Sequence, residues 1–179
     1  MTTAARIPPA IDLGRHFDTA ISYLWTNWRE HQEMVREGRQ LLTVEEDRYA
    51  CGFPLPTFQR PLCWDQSQEV AFVESAWLGL SLGSFSHHIM EWGQGGVAKP
   101  FSGWLIDGQQ RLTSLQRYWT DEFRVFGAYW SDLDLVEQRR FKNIRLPHFE
   151  VALWDESRIR DLYNRLAFGG VPHTPEQRA

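Results

Sequence analysis

The feature that most constrains this 179-residue chain is the run WLIDGQQRLTSLQRYW at residues 104–119. An apolar stretch ends at Asp107, a glycine follows, and Leu112, Leu115 and Trp119 then recur at helical spacing. That pattern predicts a strand over 102–106, a tight turn at Gly108 and a helix over 109–119. The start of such a helix has unpaired N–H groups and the positive end of the helix dipole, so it suits a phosphate. Arg111 adds a planar cationic fork. Asp107 repels a bare phosphate and therefore points to a bridging divalent cation or a water-activating role. A purely structural reading also fits. In it Asp107 and Gln110 form a capping box, Gly108 makes the turn and Arg111 is an ion-pair partner.

Elements of both kinds surround this unit. Phe17, Ala20, Ile21, Leu24, Trp28 and Val35 predict an amphipathic helix over 15–37, stopped at Gly38. Residues 1–12 read as a loose arm and 39–50 as a solvated loop or helix end. Three prolines in FPLPTFQRPLCWDQSQ (53–68) predict an extended path. Asp65 and Gln68 form a second capping-box pattern, opening a helix through Val70, Val73 and Trp77 to Gly79. Residues 80–92 read mostly as a strand, with a glycine-rich turn at 93–100, a strand at 123–130 and a short helix at 132–141. A strand at 144–154, interrupted at Pro147, and a last helix at 156–167 complete the pattern. The glycine-rich turn lacks the Lys-Ser/Thr ending of a P-loop. Interleaved strands and helices predict an α/β (α+β) class with a small mixed sheet flanked by helices.

Charge and cysteine usage narrow the function. A net charge of −4 and a pI near 5.9 argue against bulk, non-specific nucleic-acid binding. The densest basic stretch, RRFKNIR at 139–145, reads as the end of a solvated helix. Nine tryptophans imply a large aromatic core or flat surfaces for stacking. Trp64 is expected in the core or a pocket wall, and Cys63 as an apolar filler. Cys51 and Cys63 make neither a zinc set nor a disulfide framework, which suits a reduced compartment. Without an apolar signal region or a span-length apolar run, a cytoplasmic protein is expected. His87 and His88 read as a partly exposed strand rather than a metal or nuclease motif.

FPLPTFQRPLCW (53–64), WLIDGQQRLTSL (104–115) and YNRLAFGGVPHT (163–174), in this order, resemble the N-terminal domain family of GmrSD-type modification-dependent restriction enzymes. The phosphorothioate-sensing SspE proteins carry a similar domain. The resemblance implies a ParB/sulfiredoxin-like domain over 50–179, preceded by an arm and amphipathic helix over 1–49. It further implies nucleoside triphosphate binding and Mg2+-dependent hydrolysis, coupled to recognition or cleavage of modified DNA. By position it nominates Asp107, Gln110 and Arg111 as catalytic, with Asp107 holding Mg2+. Gln59, Arg60, Gly108, Gln109, Arg165, Gly169 and Gly170 would bind the nucleotide phosphates. His173 joins them if the C-terminal segment folds back, and otherwise hydrogen-bonds locally.

Two departures bear on activity. Many members have Asn two positions after the C-terminal arginine, where this chain has Ala167. Larger members carry a His-Asn-His nuclease domain, so a separately encoded nuclease subunit is the expected partner. A non-catalytic nucleotide-, DNA- or partner-binding module, and a ParB-like DNA nuclease, are the alternative readings. The helix at 15–37 is a possible element for homo-oligomerisation.

Overall fold

The computed structural model describes residue 7 and residues 10–39 and 48–168. Four strands form a mixed sheet in the order β1-β6-β4-β5: β1 (Arg15–Phe17), β6 (His148–Val151), β4 (Phe85–His88) and β5 (Leu105–Asp107). The central pair β4 and β6 is parallel, and β1 and β5 flank it antiparallel. Strands β2 (Tyr49–Ala50) and β3 (Phe53–Pro54) form a separate hairpin. Both turn residues, Cys51 and Gly52, have positive φ (49° and 82°), which matches the twist a two-residue hairpin needs.

Five helices are present among the described residues: α1 (Ile21–Arg36), α2 (Gln66–Trp77), α3 (Gln109–Trp119), α4 (Leu135–Lys142) and α5 (Glu156–Phe168). The expected mixed α/β class with a small flanked sheet is therefore the observed one. The helices divide between the sheet faces because adjacent residues of a strand point in opposite directions. Leu105 joins the large core with Ile21, Leu24, Phe85, Leu112 and Leu115. Its neighbour Ile106 joins a second core with Val151, Ile159, Leu162 and Tyr163. Helices α1 to α4 thus contribute to the first core, and α5 covers the other face.

The aromatic residues explain much of the larger core. Trp25, Trp28, Trp119 and Trp130 pack ring against ring at centroid distances of 5.2–5.5 Å. The Asp65/Gln68 capping box opens α2 as expected, with both reciprocal hydrogen bonds made. Glu69, 3% exposed, accepts two hydrogen bonds from Arg117 Nη1 and so ties α2 to α3.

Several expectations need correction. The first helix begins at Ile21, because Arg15–Phe17 extend to pair with β6. Val35 lies 60% exposed, off the buried stripe. Residues 123–130 form no strand; Val125 and Ala128 close a tight turn by bonding each other. Cys63 is exposed rather than an apolar filler. His87 and His88 are 4% and 0% exposed, since β4 is covered on both faces. Arg139, Arg140 and Lys142 do gather in the last turn of α4, while Arg145 lies beyond it and bridges to Ala20.

Candidate functional site

β5 ends at Asp107, the chain turns at Gly108 with φ 106°, and α3 begins at Gln109. No side chain caps the N-terminus of α3. The capping-box alternative for this segment is thereby overturned, since Gly108 is the cap residue and both presumed partners are engaged elsewhere. Asp107 accepts a hydrogen bond from Arg111 Nη2 at 2.5 Å, one helical turn on. Gln110 Oε1 accepts from the backbone N–H groups of Cys63 and Trp64, each at 3.1 Å.

These residues line a cleft of about 190 Å3 together with Gln59, Arg60, Gln109, Tyr163, Leu166 and Ala167. The upstream QRP segment and the DGQQR segment, 47 residues apart in the chain, thus meet in one place. Each is held by specific bonds. Gln59, 3% exposed, donates from Nε2 to the carbonyl of Leu105 and fixes the end of β5. The backbone N–H of Arg60 donates to Tyr163 Oη at 3.1 Å, tying the segment to α5. Trp64 forms a pocket wall and packs on Phe72 at 5.7 Å. Gln110 Nε2 is buried and has no partner among the described residues, so the cleft wall carries an unsatisfied donor.

Not every nominated residue arrives there. Arg165 lies outside the cleft lining, exposed, and donates to Asp161 at 3.0 Å along α5. Gly169, Gly170 and His173 lie outside the described residues. Ala167, in place of the amide, lines the cleft and packs against the second core.

The model of the GmrSD restriction endonuclease N-terminal domain matches residues 39–164, well over half of the chain. This chain belongs to that family. The GmrSD domain is a component of restriction, that is defence, systems. No curated protein and no solved structure matches. Among the described residues, no helix is long and apolar enough to cross a membrane.

Mg2+ is the metal that the resemblance implies, and the donors at Asp107 fit it in kind. A hard cation that keeps several waters needs only one or two carboxylates plus substrate phosphates. Asp107 is 29% exposed at the cleft mouth and uses one carboxylate oxygen for Arg111. A second donor group, which sequence reading missed, lies outside this cleft on β4 and β6: His87, His148 and Glu150. The signal was HFE at 148–150, a strand that places its first and third side chains on one face.

Proposed function

We propose that the GmrSD domain of this chain binds a nucleoside triphosphate through its phosphates at the DGQQR cleft and hydrolyses it, in a system that senses or restricts modified DNA. The observation that carries this reading is the uncapped N-terminus of α3, which opens on a cleft shared by Asp107, Arg111, Arg60 and the unsatisfied amide of Gln110. Orphan N–H groups of the first turn of α3, the remaining N–H groups of Arg111 and the bare Gln110 amide all suit acceptor oxygens, with Arg60 also in the lining. At about 190 Å3 the cleft is smaller than the ~300–1,000 Å3 of most small-molecule sites, so it suits the phosphates, with sugar and base left at the mouth beside Trp64.

Within this reading each residue has a distinct task. Arg111, held by Asp107 and by the Leu82 carbonyl, presents its remaining N–H groups in a fixed direction. Gln110 Nε2 donates to a phosphate oxygen or orients the attacking water. Asp107 accepts the water's proton or holds Mg2+. The metal, when bound, would neutralise charge that develops on the phosphate oxygens. Attack of water on the terminal phosphorus breaks its bond to the bridging oxygen and releases inorganic phosphate and the nucleoside diphosphate.

The test is phosphate release from each of the four ribonucleoside triphosphates with Mg2+, with and without modified DNA. Turnover by the natural chain that vanishes in Asp107→Asn, with nucleotide binding retained, supports the assignment. Turnover undiminished from that of the natural chain in both Asp107→Asn and Arg111→Ala rejects this site.

A second reading is favoured by two observations. Asp107 and Arg111 neutralise one another, and Ala167 replaces the amide at the cleft wall. On that reading the domain binds nucleotide without hydrolysing it and signals to a separate nuclease subunit. Tight binding with no turnover, gained on Ala167→Asn, is its expected outcome.

A further inference from the structure

A larger cleft, about 470 Å3, lies under α1 and shares no lining residue with the DGQQR cleft. Tyr23, His87 and Glu150 line part of it. β6 places His148 and Glu150 two residues apart on one face, and parallel pairing sets His87 beside Glu150. One donor atom from each of the three side chains lies within 4.8 Å of the others.

Hydrogen bonding identifies which ring nitrogens carry lone pairs. Thr19 Oγ1 uses its single proton to donate to the Leu146 carbonyl at 3.1 Å, so it accepts from His148 Nδ1 at 3.0 Å. His148 Nε2 is then a bare lone pair, and it is buried without a partner. His87 Nδ1 stands 3.0 Å from the His88 carbonyl, which only accepts, so His87 Nε2 is bare as well. These lone pairs face Glu150 Oε1 at 4.0 and 3.8 Å. Three acceptors converge with no proton among them. The distances exceed hydrogen-bond reach, and the Tyr23 hydroxyl meets His87 Nε2 only at a long 3.5 Å.

We propose that His87, His148 and Glu150 form a binding site for a divalent first-row transition cation, zinc foremost, with its open coordination position facing the 470 Å3 cleft. Two imidazoles and one carboxylate match a three-ligand zinc site and not the all-oxygen preference of Mg2+. The outer partners are in place, because each imidazole donates its other N–H to a fixed oxygen. Bonds of ~2.0–2.1 Å bring tetrahedral ligand atoms to about 3.3 Å apart, so the cluster must contract. Glu150, 29% exposed, has the room to close in. The site is independent of the DGQQR cleft and of the nucleotide reading.

The experiment uses the full chain, stripped with a chelator and freed of it. Zinc is titrated by calorimetry and cobalt(II) by visible absorption, with Mg2+ as the hard-cation control. Expected are one zinc per chain, cobalt d–d bands of low-coordinate type displaced by zinc, and no competition from Mg2+. Glu150→Gln and His87→Gln should each weaken zinc at least tenfold and abolish the bands. Circular dichroism checks that the variants fold, and the partly exposed Glu150→Gln carries the test if His87→Gln does not. Absence of saturable zinc binding in the micromolar range would overturn the proposal, leaving the lone pairs to water. Equal affinity in natural chain and variants would overturn it too, by placing the metal elsewhere.

Discussion

A methyl group added at Gly108 would stand 2.6 Å from the Cβ of Phe85, and the backbone there has a φ of 106° that side chains rarely adopt. Gly108→Ala should therefore destabilise the fold by about 2 kcal/mol or more, combining left-handed strain with a backbone-level clash. Urea unfolding with an unchanged m-value would confirm it; a loss below ~0.5 kcal/mol would show that the turn relaxes freely. The sequence made DGQQR legible as a strand, glycine turn and helix, and the structure places its residues there. What it hid was partner choice. Asp107 and Gln110 have the spacing of a capping box, yet Asp107 bonds Arg111 while Gln110 reaches the backbone of Cys63 and Trp64. Local spacing cannot reveal a donor 46 residues away. The buried histidines were hidden for the same reason, because His87 gains its meaning from His148 on another strand.

At the scale of elements, α2 and α3 are joined by one ion pair whose acid is almost wholly buried and whose base is a third exposed. Hydrogen bonding to Glu122, and then to Glu69, raises the Arg117 pKa further, so the guanidinium stays charged. Arg117→Met should cost on the order of 3 kcal/mol, because it strands the Glu69 carboxylate in the core. The double variant Arg117→Met/Glu69→Met should recover most of that loss; a double variant as unstable as the single one would contradict the account. Elements with strong local signals were read correctly: α2 from its capping box and α3 from its periodicity. The missed ones were decided by tertiary contact. Arg15–Phe17 look helical in sequence, but β6 offers them a strand partner.

Over the whole molecule, the buried histidines set the response to acid. Burial lowers the His87 pKa to about 4 and also lowers that of His148. Tyr23 from α1, Glu150 and His148 from β6 and the neighbouring His88 surround His87. In the unfolded chain His87 titrates near 6.5, so between about 6.5 and 4 the unfolded state holds more protons. Stability from this group is complete above the unfolded value and falls as the pH drops through the window. The slope reaches roughly 1.4 kcal/mol per pH unit for one histidine. Unfolding free energies of metal-free protein from pH 7.5 to 4.5 should drop more steeply in the natural chain than in His87→Gln; parallel curves would remove His87 as the cause.

β4 lies between β5 and β6 in the sheet. Its register sets Ser86 opposite Asp107 on one neighbour and His87 beside Glu150 on the other, with an irregularity between Ser86 and His87. With both proposed sites filled, a nucleotide and a cation would sit in clefts that share no lining residue. Their binding free energies should simply add when measured separately and together. Any departure from that sum would measure coupling between the clefts, and its sign would tell whether filling one tightens or loosens the other.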